Sequence, residues 1–448
     1  MQPIDLLLSA RWVLPIAPEN AILENTSIAI QKGGIIALLP TSEALQTFAP
    51  QQHLSLDHHV LMPGLVNAHT HVPMNLFKGL ADDLVLMDWL NHHIWPAEAK
   101  ILNDQSVFAG SLLGLAEMLR GGTTCINDHY FYPHSITRAL NHIGMRGCVG
   151  LWIVSVPTSW ASTEEEYFEK AKVVLQNQEK NSLVHYAFAP HAPYTVSDAA
   201  FKEIQQLSEH YDLQIHMHLH ETKSEVEQAL QQYHQRGIAH LNNLGFLSNR
   251  LIAVHMTQML PEEISLIAEK SVHVVHCPES NMKLGSGFAP IAEMLKQGVN
   301  VALGTDGAAS NNDLDMFGEM RTAAFIAKGY TGDPTVLPAE EILKMATLNG
   351  AKALGLDQEI GSLEPGKSAD IISIDLNSFL LQPVYNPISH LVYALDRQQV
   401  SHAWIRGKQL LNNGKFTMLE VDAIVNDIKP WTEQLKQFKA IPVHMVRS

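Results

Sequence analysis

The sequence predicts an α/β protein, a (β/α)₈ TIM barrel carrying a small β-sandwich built from both chain ends. Three observations predict it. Short β-rich apolar runs alternate with amphipathic helical stretches from about residue 61 to about residue 330, these runs number eight, and both flanks instead carry short alternating segments broken by Gly-rich turns. Strand and helix in alternation imply parallel strands with crossover helices, and eight of them suit a closed barrel better than an open sheet.

The strand candidates are 61–72, 122–130, 146–155, 185–196, 213–221, 251–258, 272–280 and 299–308. Between them lie helical patterns such as SVFAGSLLGLAEMLRGG, with a glycine stop, and SDAAFKEIQQLSEH, opened by Ser197 as N-cap. The flanks, 1–58 and about 365–420, read as antiparallel hairpins (SIAIQKGGIIALL, SADIISIDL, HAWIRGKQLLNNGKF). Because they bracket the barrel, the expected organisation is sandwich 1–60, barrel 61–364 and sandwich again from 365, with 421–440 an amphipathic helix broken near Pro430.

A chain of 448 residues exceeds the roughly 250–300 at which a single core stops growing, so two units are expected. With 46% hydrophobic and 17% charged residues the composition is that of a folded protein. The formal charge of −16 argues against nucleic acid or an anionic membrane as partner and favours a small neutral or cationic ligand. The N-terminus has no basic region or cleavage site, and no window reaches the roughly 18 apolar residues of a membrane span. A cytoplasmic homo-oligomer is expected. Cys125, Cys148 and Cys277, odd in number and far apart, read as reduced core residues.

Nearly every strand candidate carries its polar residues late: His71, Asp128 and His129, His191, His218 and Glu221, His255, His276, Asp306. In a barrel these ends gather at one mouth, where barrel active sites lie. His69 and His71, two apart at a strand end, can hold one ion, although the pattern alone also arises by chance. In QIHMHLHE, His216, His218 and His220 share a face, and His218 with Glu221 just past the strand makes the best pair of ligand and base. His216, deeper, and His220 read as supporting histidines. Asp306 completes three nitrogen donors and one carboxylate, a set for Zn²⁺ that would also accept Fe²⁺. A zinc deaminase built on HxE and PCxxC is excluded, since the chain has no CxxC.

The runs VNAHTH, HMHLHE, a strand-six His255 and LGTDGAASNN, in that order, resemble the amidohydrolase superfamily, and MPGLVNAHTH and SLEPGKSADIISID resemble its junctions between barrel and sandwich. Its binuclear members carry a lysine at the fourth strand end, where this chain reads AFAPHAPY, so the resemblance implies one metal ion. It also implies roles. Glu221 takes a proton from the attacking water and delivers it to a ring nitrogen, His255 orients the nucleophile, and Asp306, ligand and base, passes a proton to departing ammonia.

Within the triazine hydrolase-like branch, DWLNHHIWPAEAKI, AFAPHAPYTVS, HLHETKSE and HCPESNMKLGSG resemble 5'-methylthioadenosine/S-adenosylhomocysteine deaminases. That resemblance implies that Glu98 binds the two ribose hydroxyls and His191 contacts the substrate. By position, Trp89 and Trp95 are read as pocket walls, Asn281 and Met282, just after the seventh strand, as lining the base pocket, and His92 and His93 as surface residues. Members accepting S-adenosylhomocysteine are expected to carry an arginine beyond the third strand for its carboxylate. No arginine lies between Arg146 and Arg236, so 5'-methylthioadenosine is the expected substrate, with Arg146 or a partner subunit as the remaining sources of charge. The alternatives are a guanine, cytosine or triazine hydrolase, disfavoured by Glu98 and His191, and a non-catalytic scaffold, disfavoured by the intact ligand set.

Overall fold

The computed structural model describes residues 1–19, 21–178 and 182–439. Eight parallel strands pair in chain order: Leu65–Thr70, Thr123–Asp128, Arg146–Ile153, Val184–Pro190, Gln214–Leu219, Leu251–His255, His273–His276 and Val301–Leu303. Each expected strand coincides with one of them, the fourth starting one residue earlier than expected, at Val184. Most of the observed strands stop short because the polar residues that end the runs leave the ladder and bend over the barrel mouth. Asp306 does so with φ of 60°, and His255, still paired with Leu219, ends its strand with φ of 75°; these are left-handed conformations that cost a non-glycine residue about 1–3 kcal/mol and persist where the surroundings impose them.

The seam between the eighth and first strands is closed by side chains as much as by backbone. Asn67 donates to Thr305 Oγ1 at 2.7 Å and accepts from the Thr305 N–H at 3.1 Å, while the Asp306 N–H donates to the His69 carbonyl at 3.1 Å. Gly304 is required here, since a Cβ would lie 2.7 Å from the His69 nitrogen. The barrel therefore shuts beside two of the expected metal ligands. Helices start as the sequence predicts: Ser197 caps Asp198–Tyr211 by accepting from the Ala200 N–H, and Asp104–Arg120 ends at Gly121.

Both chain ends build the second unit, but as one continuous eight-stranded sheet with a parallel pair at its heart. Gln2–Val13 runs parallel to Phe48–Pro63. The hairpin reading missed this because the helix Thr41–Thr47 works as a crossover, returning the chain along the far side of the first strand. The sheet curls until its turns touch: a Cβ on Gly33 would sit 2.6 Å from the Arg406 carbonyl oxygen. Phe48–Pro63 passes through Gly64 alone into the first barrel strand.

Arg146, at the start of the third barrel strand, is fully buried and donates to Asp370 Oδ2 at 2.8 Å, Glu359 Oε2 at 2.9 Å and Ser368 Oγ at 3.2 Å. It ties the barrel floor to the sheet, opposite the mouth, and this removes it as a reader of a substrate carboxylate. The three cysteines are buried and free. The tail forms the helices Val421–Asp427 and Lys429–Leu435, broken around Ile428 and Pro430, and the second packs on the helix Trp95–Ile101; residue 440 lies outside the described residues. No helix of the described residues is long and apolar enough to cross a membrane.

Candidate active site

At the mouth the potential ligand atoms of His69, His71 and His218 lie within 4.8 Å of one another, as do those of His69, His255 and Asp306. Asp306 Oδ1 is 3.3 Å from His69 Nε2 and 3.2 Å from His71 Nε2. The opposite nitrogens are committed elsewhere. Nδ1 of His71 bonds the His129 carbonyl at 2.5 Å and Nδ1 of His218 the His191 carbonyl at 2.9 Å, contacts that require N–H there and leave Nε2 with its lone pair. His69 Nδ1 meets His216 Nε2 at 2.8 Å, so His216 stands behind His69 and orients its ring.

This arrangement fits a cation. His69 Nε2 is buried without a hydrogen-bond partner and faces a carboxylate oxygen at 3.3 Å, an arrangement that a cation between them would satisfy. The 3.2–3.3 Å separations are those of neighbouring ligands around a tetrahedral ion with bonds of about 2.0–2.1 Å. Burial holds His69 in the neutral, ligating form, its pKa pushed down to about 3, and lowers His218 well below the usual histidine range.

Glu221 sits past the fifth strand with its backbone gripped on both sides. Its N–H donates to Glu225 Oε2 and the His220 N–H to Glu225 Oε1, each at 2.7 Å, while its carbonyl accepts from Thr257 Oγ1 at 2.6 Å. Burial raises the Glu221 carboxyl above the usual range. Its Oε2 lies 3.9 Å from His255 Nε2, and the other His255 nitrogen, Nδ1, meets Asn281 Oδ1 at 2.8 Å. On Asp306, Oδ2 accepts from Ser280 and Ser310 at 2.6 and 2.8 Å, leaving Oδ1 turned toward the imidazoles.

These groups open onto a cavity of about 500 Å³ lined by His71, His218, Glu221, His255 and Asp306 at its floor and by Trp89, Trp95, Glu98 and His191 above. Glu98 is buried, not a solvated helix residue, and accepts from the Tyr130 hydroxyl at 2.5 Å; burial pushes its pKa up to about 7. Trp89 is buried and Trp95 half-exposed, on either side of a π-helical turn, Leu90–Ile94, that widens the segment over the cavity. Asn281 and Met282 do not line it. Asn281 is taken up by His255, and Met282 points outward, exposed. His92 is exposed, whereas His93 bonds the Phe438 carbonyl at 2.8 Å. Tyr130, Phe131, Trp152, Tyr194 and Ser310 also line the cavity and were not picked out from the sequence. The signal for the first two was available, in aromatics placed directly after the second strand. Among the described residues lining the cavity there is no lysine or arginine.

The model of the amidohydrolase family matches residues 60–410. The chain belongs to the amidohydrolase family. Curated amidohydrolase relatives include the 5-methylthioadenosine/S-adenosylhomocysteine deaminase of Teredinibacter turnerae, 43% identical over 96% of this chain and 98% of its own. The protein of the same name from Syntrophobacter fumaroxidans is 42% identical over 95% and 97%. Among solved structures, an adenosine deaminase from Xanthomonas campestris with bound zinc superimposes with a TM-score of 0.96 at 47% identity, covering 97% of this chain and 99% of that one. A zinc-bound atrazine chlorohydrolase from Arthrobacter aurescens, at 22% identity and a TM-score of 0.88 over 95% and 100%, shares the amidohydrolase fold.

Proposed function

We propose that this amidohydrolase hydrolytically deaminates an adenosine derivative, most specifically 5'-methylthioadenosine, giving 5'-methylthioinosine and ammonia with one divalent ion, zinc, per subunit. The observation that carries the reading is Glu98: a buried carboxylate across the same cavity from the histidine cluster suits the vicinal hydroxyls of a ribose, which a free base or triazine lacks. The names of the curated relatives and of the Xanthomonas structure support the reaction.

His69, His71, His218 and Asp306 would hold the ion, which acidifies a coordinated water so that it is nucleophilic at neutral pH. Glu221, held by Glu225 and Thr257, is placed to accept the water proton and hand it to a ring nitrogen, which makes the adjacent carbon electrophilic. His255, fixed by Asn281, presents Nε2 beside Glu221 to orient the nucleophile. Asp306 is placed to take the proton of the hydroxyl added to that carbon and pass it to the amine, which leaves as ammonia as the C–N bond breaks and the ring carbonyl forms. His191, at the fourth strand end, contacts the bound nucleoside.

The outer cavity is walled by Leu86, Trp89, Leu90, Ile94, Val154 and Val156, with no cation for an amino-acid carboxylate among the described lining residues. A neutral thioether fits this arm and a zwitterionic one does not. Ammonia release from 5'-methylthioadenosine, S-adenosylhomocysteine, adenosine and guanine tests the reading, with 5'-methylthioadenosine expected to give the highest kcat/KM. Preference for guanine would overturn the nucleoside assignment, and preference for S-adenosylhomocysteine the thioether one.

A further inference from the structure

Tyr130 and Tyr132 follow the second barrel strand as HYFYP, and both hydroxyls reach the helix that carries Glu98. Tyr132 donates to the carbonyl of Leu102, at that helix's end, at 3.4 Å and to the Ser159 carbonyl at 2.9 Å. Tyr130, 2% exposed, donates to Glu98 Oε1 at 2.5 Å, and its ring meets that of His71 edge-on with centroids 6.2 Å apart. Phe131, between them, is buried against Trp152, with ring centroids 4.7 Å apart.

Glu98 lies on a short helix, Trp95–Ile101, that follows the π-helical turn and stands outside the barrel framework. A carboxylate on such an element has three side-chain torsions to fix, and only a built partner fixes them. Tyr130 is rooted in the barrel beside the histidine cluster. Its hydroxyl consumes one lone-pair direction of Oε1, so Oε2 remains to meet a sugar hydroxyl.

We propose that Tyr130 is the positioning residue that sets this enzyme's selectivity for an intact ribose diol, by aiming the free oxygen of Glu98 at a fixed distance from the histidine cluster. The proposal rests on the nucleoside reading above. Tyr132, whose hydroxyl bonds only backbone carbonyls and whose ring packs on Trp160, supports the helix without reading the sugar.

The test compares 5'-methylthioadenosine with its 2',3'-dideoxy analogue in the zinc-loaded enzyme. Tyr130→Phe is expected to lower kcat/KM for the riboside about 10-fold or more, mainly through KM, as expected for loss of a hydrogen bond to a charged group. The dideoxy compound should change less than about 2-fold, so the selectivity between the two collapses. Tyr132→Phe should affect both substrates alike. A second pair of variants does not depend on Tyr130→Phe folding: Glu98→Gln keeps an acceptor for the tyrosine and should retain part of the riboside preference that Glu98→Ala abolishes. Equal losses on both substrates in Tyr130→Phe, or equal loss of preference in the two Glu98 variants, would overturn the role of Tyr130 while leaving the deaminase reading intact. A wild-type enzyme that deaminates neither nucleoside would overturn both.

Discussion

Replacing Glu225 with glutamine should slow the chemistry of an enzyme whose reacting groups all remain in place. Glu225 is buried and touches no cavity surface, yet its two oxygens accept the N–H groups of His220 and Glu221, each at 2.7 Å. A glutamine keeps one accepting oxygen and turns an NH₂ group toward the other N–H. Two buried donors are then left facing each other, at a cost of about 2–6 kcal/mol if each loses a typical unsatisfied-group penalty. Part of that cost is relieved by moving the 220–221 peptide, which carries the Glu221 carboxylate with it. Misplacement by about 1 Å can cost on the order of 100-fold in rate, so kcat should fall about 10–100-fold with KM within a few-fold of wild type. Urea denaturation of the metal-loaded protein reads the stability term, and steady-state kinetics with 5'-methylthioadenosine read the catalytic one. An unchanged kcat in a protein destabilised by the expected amount would refute the link between this carboxylate and the base.

Three further outcomes follow from the same geometry. Burial raises the Glu98 pKa to about 7, so below that pH the protonated acid is a poorer acceptor and KM for the nucleoside should climb as pH falls, while KM for a dideoxy analogue stays flat. Stripping the metal with a chelator should abolish ammonia release and lower Tm, and titrating Zn²⁺ back to about 100 times its Kd should restore about 2.7 kcal/mol of stability; an apo-protein with unchanged Tm would argue against the proposed ion site. Arg146→Met should cost about 3–5 kcal/mol by stranding the buried Asp370 carboxylate, with kcat near wild type because the pair lies on the barrel floor; a large loss of kcat at full stability would contradict that placement.

The barrel was legible because its signal is local and repeated. Each parallel strand is buried on both faces, so it reads as an apolar run, and each run ends in a residue that a buried strand would not otherwise carry, such as His71, His218 or Asp306. Glu221 was legible for the same reason, falling just past a strand of period-two histidines. What stayed hidden depends on contacts between distant segments. Asn281 and Met282 are adjacent in sequence and were read together, but one turns in to His255 and the other out to solvent, a choice made by helix phase. Glu225 reads as the third residue after a cap, and only the bend at His220, φ 51°, brings the two N–H groups onto it. The parallel pairing of Gln2–Val13 with Phe48–Pro63 was invisible because a hairpin, Leu23–Gln31 with Gly34–Pro40, and a seven-residue helix without a strong periodic signature separate the segments.

The strand Phe48–Pro63 is finished early in synthesis but pairs on one side with Ile371–Asp375, some 300 residues later. At about 5–20 residues per second, that edge waits roughly 15–60 s on the ribosome before its neighbour exists. During the wait Val60, Leu61 and Met62, fully buried at the end, present an apolar strand edge open to any other chain. The exposed stretch of the same strand carries Gln51, Gln52, His53, Asp57 and His58, polar side chains that make a poor template for stacking. The first barrel strand, with His69 near its end, is thus anchored to a sheet that becomes whole only when some 300 further residues have been made, and the time of greatest risk falls before there is any activity to protect.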